Sequence, residues 1–125
     1  MTPDEVVTAL MQACQARDLD AVTGLVTDDI EYDNVPIGNV FGPEGVHKVL
    51  SGGVSKAAVE VEWVVHRQVS SGNTVMNERT DRFRLDAKWI EVPIAAVFEV
   101  REGRVSLWRD YFDLETYRAQ RRGVI

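Results

Sequence analysis

The sequence predicts an α+β domain in which a curved β-sheet folds around N-terminal helices. Three observations carry that prediction. Apolar residues recur at helical spacing through the first third of the chain. From Ala58 the period changes to two and holds, across tight turns, as far as Phe112. A short helical pattern then closes the chain. A sheet of that extent must bury one face, and the helices in front of it are the available cover. Curled around them, it can leave a pocket on its concave side.

The elements follow in order. Thr2-Pro3-Asp4-Glu5 is a helix start, with a capping threonine, a proline suited to the first turn and a glutamate that completes a capping box. Val6, Val7, Leu10, Met11 and Cys14 form one apolar stripe. Arg17-Asp18 breaks it, and a shorter helix with Leu19, Val22 and Leu25 inward follows. Thr27-Asp28-Asp29 reads as a turn. Residues Ile30 to Pro36 read as a short strand stopped by the proline. Ile37 to Phe41 reads as a loop. Gly42-Pro43-Glu44-Gly45 opens a third helix, which Ser51-Gly52-Gly53 ends. A long strand then carries Val59, Val61, Trp63 and Val65 on one face, and Ser70-Ser71-Gly72-Asn73 is its hairpin turn. Further strands span Thr74 to Leu85, Trp89 to Val100 and, after the Glu102-Gly103 turn, Arg104 to Phe112. Asp113 caps the closing helix, Leu114 to Gln120. The arginines that follow place cations near its C-terminus.

A chain of 125 residues, 45% of them apolar, is one domain spanning 1–125. Its net charge of -6 and lack of a basic run argue against nucleic acid and anionic membrane as partners. The single cysteine, Cys14, excludes an intrachain disulfide framework and a cysteine-built metal site, and its place in the apolar stripe makes it core. His47 and His66, the only histidines, have no ligand-spaced companion, so no metal site is expected. With no signal-like leader and no apolar run of membrane length, the expectation is a soluble cytoplasmic protein.

Strand parity brings out the chemistry. Trp108, Asp110 and Phe112 share one face, so a carboxylate sits between two aromatics. If that face is the core, an unpaired Asp110 would cost several kcal/mol. On the strand Thr74 to Leu85, Val75, Asn77, Arg79, Asp81 and Phe83 share a face. Should both faces look into one cavity, Arg79 can bridge Asp81 and Asp110, since a guanidinium hydrogen-bonds two carboxylates and keeps its charge. Like charges in a dry site favour one shared proton, hence one general acid and one general base. Tyr32 and Asn34 share the face of Ile30 and can supply polar contacts, such as a hold on a water. Spacing alone leaves open a buried network that only fixes strand register.

Three segments, Tyr32-Asp33-Asn34-Val35-Pro36, Glu78-Arg79-Thr80-Asp81 and Trp108-Arg109-Asp110-Tyr111-Phe112-Asp113, resemble the signature pieces of the limonene-1,2-epoxide hydrolase family in order and spacing. The similarity runs from the first helix to the last and is strongest from Asn77 onward, through Val97-Phe98 and Glu102-Gly103. It implies a cone-shaped fold of the nuclear-transport-factor-2-like type (SnoaL-like, cystatin-like), a homodimer, and no metal or cofactor. It also implies one-step opening of an epoxide by water to a vicinal diol. On that resemblance Asp110 would be the base, Asp81 the acid, Arg79 their bridge, and Tyr32 and Asn34 the anchors of the water. Trp108 would line the site and donate its indole N–H to the acid. Phe83, Val92, Ile94 and Phe112 have the parity to line an apolar pocket for a terpene-like or cyclic epoxide. Gly52, Gly53 and Ala57 stand where the family suggests bulkier side chains, which implies a roomier or differently shaped pocket. The same fold class also hosts ketosteroid-isomerase-like and polyketide-cyclase-like enzymes, which need a base and an oxyanion donor, and small-molecule binding modules, which need no buried acid–base pair.

Overall fold

The computed structural model describes residues 1–123. Helix α1 (Pro3–Ala16) begins with the reciprocal cap its sequence announces: Thr2 accepts from the Glu5 N–H, and the Glu5 carboxylate accepts from the Thr2 N–H. It buries Val6, Val7, Leu10, Met11, Ala13 and Cys14. Arg17 ends it in the left-handed region (φ 57°), and Asp18 caps α2 (Leu19–Gly24) through the Ala21 N–H. Strand β1 (Val26–Asn34) leads by a turn to β2 (Gly38–Phe41), then α3 (Gly42–Leu50) and the short α4 (Gly53–Ala57). The long strands β3 (Glu60–Ser71), β4 (Thr74–Leu85), β5 (Lys88–Arg101) and β6 (Arg104–Tyr111) follow, and α5 (Leu114–Arg121) closes the chain.

The strands form one six-stranded curved sheet in the order β2-β1-β6-β5-β4-β3. Strands β3 to β6 are the expected antiparallel meander. Strand β1 enters beside β6 in parallel, with Tyr32 opposite Trp108 and Asn34 opposite Asp110. That single parallel pairing makes the sheet mixed, and it brings the first and last catalytic candidates together across most of the chain. The core lies between the concave face and the helices, with Phe98, Trp108, Ile30 and Ile90 among its fully buried side chains.

Four expectations need correction. Thr27-Asp28-Asp29 is strand rather than turn. The ladder to β6 shifts register between Val26 and Glu31, so the turn-forming aspartates sit in an irregularity of the strand. Residues 38–41 pair with β1 rather than looping, Tyr32 lying opposite Val40. Helix α4 begins at Gly53, the second of the glycines expected to end α3. On β3, Val61, Trp63 and Val65 share the expected face, opposite Phe83, Asp81 and Arg79, with Val65 37% exposed beside the bulge that follows it. Val59 precedes that strand and is exposed as well.

Candidate active site

Period-two geometry aims Arg79, Asp81 and Phe83 from β4 and Trp108 and Asp110 from β6 into the concave side of the sheet. Arg79 is 0% exposed, Asp81 4% and Asp110 1%. The guanidinium lies between the carboxylates. Its Nε donates to Asp81 Oδ1 at 2.8 Å and its Nη1 to Asp110 Oδ1 at 3.1 Å. Nη2 donates to both, at 2.7 Å to Asp110 Oδ2 and 3.3 Å to Asp81 Oδ2. The burial cost of the aspartates is thus met by one cation with matched fork geometry.

The two carboxylates are not equivalent. Asp110 also accepts the Trp108 indole N–H, at 2.8 Å. The resemblance assigned that indole donor to the acid, Asp81. It instead reaches Asp110, two residues along its own strand, because alternate residues of a strand are the nearest side chains on one face. Asp81 Oδ2 keeps only the shared 3.3 Å contact and is the oxygen with room for a proton. Burial pushes the Asp81 carboxyl up to about 6, with Arg79 opposing and Asp110 adding to the rise. Burial alone would lower Arg79, but the Asp110 and Asp81 charges outweigh it and hold the cation well above its usual value. Tyr32 is 3% exposed, and burial followed by the Asp110 charge lifts its phenol far above the ordinary range. Its ring stacks on Trp108 at 4.1 Å between centroids.

These groups open onto a cavity of about 410 Å³. Asp81 and Asp110 line it together with Tyr32 and Asn34, and Phe83, Val92, Ile94 and Phe112 supply apolar wall. Trp108 is fully buried and meets the cavity only through the residues it holds. Gly52 and Gly53 do line the cavity, while Ala57 is exposed and does not. Both glycines have backbone reasons. Gly53 sits at φ +53°, and a Cβ at Gly52 would press on the Lys48 carbonyl at 3.2 Å.

Other wall residues have no sequence signal. Val54 and Ser55 come from the unforeseen α4, Ile37 and Val40 from the β1–β2 hairpin, and Tyr117 from the closing helix. The alternation puts Trp63 on one face of its strand, but does not tell that its ring lies 4.7 Å under the Arg79 guanidinium. Nothing local marks such a contact, since β3 and β4 carry it across the sheet. Among the described residues, no group of three or more His, Cys, Asp or Glu side chains is arranged to hold a metal ion. Among the described residues, no helix is long and apolar enough to cross a membrane.

Residues 1–122 match the family described as the limonene-1,2-epoxide hydrolase catalytic domain. Epoxide hydrolase EphG of Mycobacterium tuberculosis (strain ATCC 25618 / H37Rv) is 32% identical over 120 residues, covering 95% of this chain and 79% of that one. The solved structure of an M. tuberculosis limonene-epoxide-hydrolase-like epoxide hydrolase superposes with TM-score 0.81 at 32% identity, over 94% of this chain and 87% of the other. An NTF2-like protein from Cytophaga hutchinsonii superposes with TM-score 0.76 at 17% identity, over 92% and 93%, and shares the fold alone.

Proposed function

Because the chain belongs to the limonene-1,2-epoxide hydrolase family, we propose that it hydrolyses a lipophilic epoxide to a vicinal diol in one step, with no covalent intermediate. The observation that carries this reading is the buried arginine shared by two carboxylates at a cavity wall. Asp110, which receives three N–H bonds, is the base and takes a proton from water. Tyr32 and Asn34, beside Trp108 and Asp110 across the parallel ladder, hold that water. The water oxygen attacks one epoxide carbon, the carbon–oxygen bond breaks, and Asp81 gives its proton to the departing oxygen. Solvent then returns a proton to Asp81 and removes one from Asp110. Acid and base acting together avoid a free alkoxide and contribute about 10²–10⁴-fold each. Arg79 keeps both groups in register and balances the charge that moves between them.

The cavity volume and its Phe83, Val92, Ile94 and Phe112 wall suit a terpene-like or cyclic epoxide. A homodimer belongs to the same reading, and sedimentation of the purified chain would read it. The decisive experiment is a single turnover of limonene-1,2-epoxide or cyclohexene oxide in heavy-oxygen water. Label in the diol after the first turnover, and none in the protein, is the expected result. Label transferred first to an aspartate would overturn direct attack. Absence of diol from any epoxide would turn the function toward an isomerase or a binding module.

A further inference from the structure

Trp63 stands where three cavities meet. It lines the active cavity, a second of about 190 Å³ bounded by Cys14, Leu19 and Val61, and a third of about 360 Å³ between α1 and β3 bounded by Met11, Gln15 and Gln68. In the β3–β4 ladder it is directly opposite Asp81. One face of its indole lies 4.7 Å from the Arg79 guanidinium, and its edge meets Trp108 at 6.1 Å between centroids. Strand β3 is the edge of the sheet, and the Trp63 N–H is held there by the side chain of Gln15 on α1, at 2.9 Å. The carboxylates fix Arg79 only within its own plane, through hydrogen bonds from its edge. A π face is what resists motion out of that plane.

We propose that Trp63 is a positioning residue of this active site: its indole seats Arg79 by the face and keeps the two neighbouring cavities from wetting the Arg79–Asp81 pair. The inference rests on the epoxide-hydrolase reading above. Its consequence is a shift in the pH range over which Asp81 carries its proton. Burial is the largest influence raising the Asp81 carboxyl, so water admitted past residue 63 lowers it. The other charged or titratable groups around Asp81 are Arg79, Asp110, Cys14 on α1, Tyr32 on β1, and Lys48 and Tyr117 at the cavity wall. Burial holds the Cys14 thiol and the Tyr32 phenol well above their usual ranges, so both stay neutral while Asp81 titrates.

The test is kcat and KM for cyclohexene oxide against pH, in the wild type, Trp63→Phe and Trp63→Leu, with folding checked by circular dichroism. Trp63→Phe keeps an aromatic face and should hold kcat within about threefold, with its high-pH limb in place. Trp63→Leu should lower kcat about tenfold and move that limb to lower pH by about half a unit or more, with KM little changed. Should Trp63→Leu fail to fold, Trp63→Met, of similar reach and without a ring, carries the same expectation. A ringless variant that folds and keeps the wild-type limb overturns the proposal, whatever its kcat. So does a loss confined to KM, or equal losses in the phenylalanine and ringless variants. A wild type that forms no diol overturns the proposal together with the hydrolase reading on which it rests. Turnover with an unmoved limb overturns the role of Trp63 alone.

Discussion

Asp81 and Asp110 share one arginine, yet replacing each by asparagine should have different costs. Three N–H groups converge on Asp110, from Arg79 Nη1, Arg79 Nη2 and Trp108 Nε1. Asparagine offers them one oxygen, so a donor must face an NH₂ group. The variant also leaves Asp81 as the carboxylate facing Arg79, and Asp81 can balance that cation only by giving up its proton, which burial resists. Asp110→Asn should therefore destabilise by about 3–5 kcal/mol. Asp81→Asn mimics the protonated acid in shape and charge and still accepts from Arg79 Nε, so its cost should stay at or below about 1–3 kcal/mol. Both variants should lose turnover by about 10²-fold or more. Denaturant titrations at one pH below about 6, where Asp81 holds its proton, with kinetics on the folded fraction, check the pair. An Asp81→Asn protein less stable than Asp110→Asn would contradict the assignment of the proton to Asp81.

The wall of the cavity depends on elements held by few bonds, and α4 is the clearest case. Arg17, at the end of α1, donates from Nη2 to the Ser55 carbonyl at 2.8 Å and the Ala58 carbonyl at 2.6 Å. That clamp ties α4, which presents Val54 and Ser55 to the cavity, to the first helix. Since Arg17 sits at φ 57°, Arg17→Gly removes the clamp while suiting the backbone. The expected outcome is faster amide exchange in residues 53–58 and a severalfold higher KM, with kcat within about twofold of the wild type. Unchanged exchange there would show that packing of Val54 alone holds the element. The sequence could not have disclosed this helix, because Gly52-Gly53 reads as an end and the residues after it are too few to show a period. Strand β2 was hidden for a related reason: four residues, three of them largely exposed, take their conformation from pairing with β1. The hairpins from β3 to β6 were legible, because the strands alternate over many residues and two of the three turns carry a glycine, Gly72 and Gly103, while Asp86 takes the left-handed conformation at the other.

At the scale of the whole molecule, the shared face of Arg79, Asp81, Trp108 and Asp110 was readable because parity within one strand is a local property. What the sequence could not disclose were distances between strands: the parallel entry of β1 beside β6, the direction of the Trp108 indole, and the Trp63 ring under Arg79. The assembled site has one consequence for the stability of the entire fold. The Asp81 carboxyl, with an ordinary value of 3.8, titrates at about 6 in the folded chain. Between those values the native state binds more protons than the unfolded state. Stability from this group is therefore fully present below the unfolded value and is lost as pH rises through the folded one. A displacement of about two units corresponds to a loss on the order of 3 kcal/mol. Asp29 and Asp113 act in the opposite sense, since side-chain hydrogen bonds to Arg101 and to Thr116 lower them, and their contribution is lost as pH falls. Comparing the wild type with Asp81→Asn cancels those terms, because both proteins keep them. In urea titrations from about pH 4 to about pH 7.5, the stability of the wild type relative to Asp81→Asn should fall as pH rises and level off above the Asp81 value. A difference that stays constant would mean that Asp81 is already ionised in the fold at low pH. It would then have no proton to give to an epoxide oxygen, and the acid would have to be sought elsewhere in the cavity.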